Sequence, residues 1–386
     1  MDSTISAEKA CTGGDLNMYL LPCRPKPMPD ELFSSWLIRL GNTYCMQFCD
    51  FLQMLGLTQH LHNSDIDRIA SASLVRSVCK VTGTDPIAGR ATSLTHQMSV
   101  LHNDRLRIDT PEWPWLIPIG RSHRSGATAG FQFCPLCLSS SEPYFRWQWR
   151  TAFVCCCPAH RVLLIDRCPE CRASIHASAQ GLWGLRDDPR MEYLIRMERC
   201  RRCQFDLRHT LAVVANDSLV QRQEALIQKL ESAEKGTGAI AADHFAVLRH
   251  IVSLIVGQNL ALERFRQVIA DRSGLSRVDV PLPYEPDAEI LHFEELTVCS
   301  RALALEAAIW LTEEWPTRFV DCARASKVTY PALNRNAISV RWFNEVVMAA
   351  YAWHEIDTEA SSPQDAGRRK PVRSVRRLRE KGTATG

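Results

Sequence analysis

The sequence predicts a mainly α fold that carries small zinc-ribbon-like metal modules. Three observations support this. Apolar residues recur at helical spacing through most of the chain. Sixteen cysteines occur among 386 residues. Four pairs of cysteine or cysteine–histidine ligands, each pair three residues apart, crowd the stretch from Cys134 to Cys203. With 46% hydrophobic and 23% charged residues the chain reads as globular, and its length suffices for two or three domains. No uninterrupted run of eighteen apolar residues offers a bilayer span, and the first twenty residues lack a basic start followed by an apolar run, so a cytoplasmic protein is expected. Cysteines in that compartment stay reduced, which favours metal binding over disulfides.

The expected division is a leader and Pro-rich lead-in over 1–30, a helix-turn-helix-like domain over 31–119, a zinc-binding region over 131–211, a C-terminal helical domain over 216–354 and a disordered basic tail over 355–386. LPCRPKPMPD, from Leu21 to Asp30, is too rich in proline for a helix. Asp30 suits an N-cap for a helix with Leu32, Phe33, Trp36, Leu37 and Leu40 on one stripe, which Gly41 can end. A second helix through Phe48, Phe51, Leu52 and Leu55 stops near Gly56. A third, capped by Ser64 or Asp65, places Ile66, Ile69, Ala70, Leu74 and Val78 on one face and ends around Thr82-Gly83. Asp85-Pro86 then starts a fourth at once.

Two helices joined by a tight glycine turn make the helix-turn-helix pattern, with an ordinary helical hairpin as the alternative. In the DNA-binding version Arg90, Thr92, Ser93 and Gln97 are on or near the recognition helix. GRSHRSGATAG, Gly120 to Gly130, reads as a flexible joint. Helical periodicity returns over Ser218–Leu230, His244–Ile269 and roughly Glu294–Trp353, with PLPYEP at Pro281–Pro286 as a break. The tail from Arg368 onward holds eight basic residues and one acid, so the rest of the chain is net negative although the whole is +3. Arg368, Arg369, Lys370, Arg373, Arg376, Arg377 and Arg379 are candidate phosphate contacts there.

The four ligand pairs are Cys134/Cys137, Cys157/His160, Cys168/Cys171 and Cys200/Cys203. A thiolate at the start of a tight turn and a ligand three residues on converge on one tetrahedral ion, and proline after the first ligand fixes φ for the turn. In VCCCPAHRVLLIDRCPEC only Cys157 has both the proline and a ligand at i+3. Cys155 and Cys156 read as small buried residues at the end of a strand. Pairing in sequence order gives one ion to Cys134, Cys137, Cys157 and His160 and a second to Cys168, Cys171, Cys200 and Cys203. A crossed arrangement is the alternative. Closed four-ligand sites are structural, because a catalytic zinc keeps one position open for water. No deaminase or Cys–His protease pattern accompanies them, so no catalytic residue is expected. Twelve arginines from Cys134 to Leu211 offset thiolate charge rather than build a nucleic-acid surface. PYFRWQWR, Pro143 to Arg150, interleaves aromatics with arginines as a base-stacking surface would, but core packing over the metal turns is the preferred reading.

The succession LPCRPKPMPDELFSSWLIRLGNTYC, CPLC, PYFRWQWR and CPAHRVLLIDRCPEC resembles the TniQ/TnsD family of transposition target-selection proteins. It covers about Leu21 to Cys203 and carries the family's zinc ligands onto the eight residues above. The chain departs from the pattern at Phe33, before Ser34-Ser35, and at Arg161, where glycine is common after the histidine. The resemblance implies a non-catalytic adaptor that helps select the insertion target, meets target DNA or a DNA-targeting complex, and recruits a TniB/TnsC-like AAA+ ATPase regulator and thereby the transposase. The sequence has no G-x-x-x-x-G-K-[ST], so nucleotide hydrolysis falls to a partner. The competing readings are a zinc-containing helix-turn-helix transcription regulator, in which a homodimer meets a palindrome, and a nuclease or transposase, for which no local acid motif speaks.

Overall fold

The computed structural model describes residues 20–57, 65–102, 113–121, 128–175, 194–233, 238–257, 262–274, 292–334 and 338–360. The Pro-rich lead-in runs extended across the first helices. Leu21 N–H donates to Val81 O, Trp36 Nε1 donates to Pro25 O at 2.9 Å, and Lys26 Nζ meets the terminal carbonyl of Thr82 at 2.9 Å. That lysine therefore closes the C-terminus of a helix far away in sequence, where a cation is favoured.

Helix α1 (Phe33–Thr43) starts at Leu32 without a side-chain cap. Asp30 is not the cap, because it adopts φ 60° in the turn before the helix. Nor does Gly41 end α1. It lies inside the helix, where a Cβ would come within 3.3 Å of the Phe51 ring, so the missing side chain admits α2 (Phe48–Met54) to close contact. Helix α2 ends at Leu55 and Gly56, the latter at φ 70°.

The expected third helix is two helices. α3 (Ile66–Ile69) is capped by Asp65, the chain turns extended at Ala70, and Ser71 caps α4 (Ala72–Thr82) with Gly83 left-handed at its end. The fourth also divides, into α5 (Pro86–Ala91), whose first turn is capped by Asp85, and α6 (Leu94–His102). In the third, the capping residue Ser71 inside one apolar period outcompeted helix continuation, since its side chain satisfies an N–H that the helix start leaves open. The joint expected at 120–130 carries instead a short antiparallel pair, β1 (Gly120–Arg121) with β2 (Thr128–Ala129). Gly130 then passes so close to Ile175 that a Cβ would sit 2.3 Å from its carbonyl oxygen.

The cysteine-rich region consists of turns, the short helix α7 (Pro135–Leu138) and the hairpin β3 (Cys156–Cys157)/β4 (Val162–Leu163). Beyond it lie α8 (Asp217–Ser232), α9 (Gly238–Val256), α10 (Glu263–Ser273), α11 (Val298–Glu313), α12 (Thr317–Ser326), α13 (Tyr330–Leu333) and α14 (Arg341–Ala360). Residues 281–286 and the basic tail from Arg368 lie outside the described residues. Ala239–Val256 is long and apolar enough to cross a membrane by length and composition alone. It packs on α11 and α6, with Phe245, Leu248, Ile251 and Val252 fully buried, and it carries Asp243, Arg249 and His250 along its length. One buried apolar cluster runs from α1 through the cysteine-rich region to α14.

Arg150 ties the first helices to the cysteine-rich region. Its guanidinium is fully buried, meets Asp65 at 2.6 and 3.1 Å, donates to Ile117 O at 3.1 Å, lies 3.6 Å from Asp67 and rests on the Phe131 ring. Asp67 also accepts from Ser34 N–H at 2.8 Å and Ser34 Oγ at 2.7 Å. Burial raises its pKa to about 6 despite Arg150. We expect Arg150→Ala to lose roughly 3–5 kcal/mol in denaturant unfolding, because two carboxylates are left without their buried partner. Asp67→Asn keeps the acceptor for Ser34. Since the folded carboxyl titrates above its unfolded value, ionising it costs stability as pH rises. The Asn variant should therefore gain on wild type between pH 5 and pH 7, and an unchanging difference would contradict this burial argument.

Candidate metal centre

Each ligand pair sits on a turn of the same construction. The residue after the second ligand donates its N–H to the carbonyl of the first: Leu138 to Cys134 at 3.1 Å, Arg161 to Cys157 at 2.7 Å, Arg172 to Cys168 at 3.0 Å and Gln204 to Cys200 at 2.9 Å. Three of these residues are left-handed, with φ of 53° at Arg161, 58° at Arg172 and 62° at Gln204. Arg161 thus occupies a conformation that favours glycine, and it does so while pairing with Asp217. The first turn avoids this strain by continuing into α7, where Pro135 is at the first helical position and Cys137 N–H points at Cys134 Sγ, 3.4 Å away.

The turns meet in sequence order. Cys134, Cys137, Cys157 and His160 form one set, Cys168, Cys171, Cys200 and Cys203 the other, and in each set the four donor atoms lie within 4.8 Å of one another. In the first, Cys137 Sγ is 3.6 Å from Cys157 Sγ, and His160 Nδ1 is 3.5, 3.3 and 3.5 Å from the sulfurs of Cys134, Cys137 and Cys157. In the second, Cys168–Cys203 and Cys171–Cys200 are 3.6 and 3.7 Å apart. A tetrahedron with metal–sulfur bonds of about 2.3 Å has sulfur–sulfur edges of about 3.8 Å, and a nitrogen corner shortens its edges to about 3.5 Å. The sets therefore fit a tetrahedral ion and are far too open for disulfides.

Charge supports the fit. Cys157 is held well below the ordinary thiol range by hydrogen bonds from the thiols of Cys134 and Cys137, while Cys134 is pushed far above it by the same sharing. Three thiolates at these distances repel one another, and a divalent cation between them is what offsets that repulsion. Each set can hold a metal ion.

Cys155 and Cys156 stay outside both sets. They are fully buried, and burial pushes their thiols up to about 11 and about 12, so they remain neutral beside the ligands. PYFRWQWR is core: Phe145, Trp147, Trp149 and Arg150 are buried, and only Arg146 of its two arginines is partly open. Among the residues proposed to read DNA, Arg90 is exposed and bonded to His96, but Thr92, Ser93 and Gln97 are buried. Thr92 Oγ1 donates to Gly89 O at 2.7 Å and its carbonyl receives Phe33 N–H at 3.0 Å, so it locks α5 onto α1. These three pack the helical region and do not face a groove. Arg76 and Lys80 of α4 are exposed, as is Arg90 of the six-residue α5.

We expect Cys157→Ser and Cys168→Ser each to lose one metal equivalent in elemental analysis, and Cys155→Ser to lose none. Metal loss from Cys155→Ser but not from Cys157→Ser would overturn the assignment within the triple cysteine.

No curated protein matches the chain. Residues 22–164 match the family model TniQ, a span that runs from the Pro-rich lead-in through the whole first ligand set. The N-terminal part of the chain, residues 22–164, is therefore similar to a TniQ domain, which points to an association with transposition.

Proposed function

We propose that the two ligand sets hold structural zinc and that the chain is a non-catalytic adaptor in target selection, bridging target DNA or a DNA-targeting complex to an AAA+ ATPase regulator and, through it, the transposase. The observation that carries this is the pairing of a TniQ domain with two sets in which all four tetrahedral corners are protein atoms, leaving no position for a reacting water. Zinc is favoured over other divalent ions by sulfur-rich donor sets of this kind: three thiolates with an imidazole, and four thiolates. The division into a helical domain, a zinc-binding region and a C-terminal helical domain belongs to the same proposal. A transcription regulator would draw on the α4–Gly83–α5 turn, but the burial of Thr92, Ser93 and Gln97 removes three of its four reading residues.

The zinc-loaded protein should co-purify with a TniB/TnsC-like AAA+ ATPase regulator, and alone it should neither hydrolyse ATP nor join DNA strands. Metal-dependent strand transfer by this chain alone would sink the adaptor reading.

The tail supplies a second expectation. Full engagement of its eight basic charges with phosphate would give log K a slope of about −7 against log salt, as an upper limit. Removal of residues 368–386 should make the slope shallower and weaken binding to all duplexes alike. An unchanged slope would show that the tail does not touch DNA.

A further inference from the structure

The hairpin that carries Cys157 and His160 has few partners within its own region. On one side β4 pairs with it, and beyond β4 the segment before α8 adds Leu163 N–H to Val213 O and Ala215 N–H to Arg161 O, both at 2.8 Å. Just upstream of Cys157 the backbone turns to α8. Gln223, fully buried, accepts from Cys155 N–H at 2.6 Å and Cys156 N–H at 2.9 Å through Oε1, and its Nε2 donates to Cys156 O at 2.7 Å. One side-chain amide thus satisfies three buried backbone groups of the two residues that lead directly into a ligand. All four ligand turns close with a local backbone bond, and only the strand entering the Cys157–His160 turn meets Gln223, which touches no residue of the second set. Helix α8 is in turn fixed to α11 by Ser218 Oγ donating to Glu306 at 2.6 Å and by Arg222 on Glu313 at 2.7 and 3.1 Å.

We propose that Gln223 is a positioning residue for the first metal set, and that through it the metal held by Cys134, Cys137, Cys157 and His160 and the C-terminal helices form one cooperative unit. The inference rests on the zinc reading above. Gln223 touches no ligand atom; it fixes the path of the strand so that Cys157 Sγ and His160 Nδ1 arrive together. Groups outside the ligand shell that orient ligands in this way typically carry 10- to 100-fold of metal affinity. Coupling of this kind is reciprocal, so loss of that ion must loosen α8, whereas loss of the other must not.

The test uses the full-length zinc-loaded protein with a chromogenic chelator that reports each equivalent released. Gln223→Leu, similar in size but without hydrogen-bonding atoms, should weaken one zinc equivalent about 10- to 100-fold and leave the other as in wild type. Gln223→Glu keeps the acceptor for both N–H groups and should recover part of the loss, which general core damage would not. Should Gln223→Leu fail to fold, hydrogen exchange decides: α8 should lose protection in Cys157→Ser and keep it in Cys168→Ser. A wild-type release profile in Gln223→Leu, equal loss of both equivalents, or equal α8 protection in the two serine variants would overturn the proposal. Wild-type protein that binds no zinc would instead strike the parent reading.

Discussion

Thiolates repel one another, and in each set they are held within a few ångströms; that constraint governs the middle of this molecule. Sulfurs at 3.6 Å are tolerable as anions only around a cation, so each set draws together two turns that are distant in sequence. The consequence spreads outward. The first set joins α7 to the β3–β4 hairpin, and the hairpin carries the chain toward α8. Among its described residues the region between the helical parts holds only two-residue strands, too little hydrogen-bonded sheet to supply the order that ligation supplies.

Around those sets the protein buries polar groups in hydrogen-bonded pairs. Ser34 answers Asp67, and Ser35 donates to Glu31 at 2.9 Å while accepting Phe145 N–H at 3.1 Å. Arg301, fully buried on α11, donates to Ala152 O and to Gln132 Oε1 at 3.2 and 3.0 Å. Trp115 receives a carboxylate from Glu294 on its N–H at 2.8 Å, and the same Glu294 pairs with Arg249 of α9. Bonds of this kind lose much when one partner is removed, so they fix the relative placement of the helices more sharply than apolar contact does.

Much of this was legible in the sequence because it rests on local chemistry. The ligand turns follow from i, i+3 spacing and proline, the choice of Cys157 from its neighbours, and α5 from Asp85-Pro86. The misjudgements share a cause. Gly41 is small for the sake of Phe51, ten residues on, and Thr92 is polar for the sake of a partner inside the helical region; no local pattern distinguishes such uses from a helix stop or a DNA-facing surface. Gln223 was equally silent, since an amide in a helical stretch reads as solvated until a strand is found beside it. Residues Ala70 and Ser71 show the converse, where a cap overrode an apolar period that ran straight through it.

The central claim is that both metal sites are closed by protein atoms. X-ray absorption at the zinc edge of the purified full-length protein tests it most directly. The account predicts a first shell of sulfur at about 2.3 Å with nitrogen as the minor partner, in the ratio of seven cysteines to one histidine, and no oxygen. A shell with a light-atom share well above that ratio, or with a water oxygen at about 2.0 Å, would contradict it and reopen the region to chemistry.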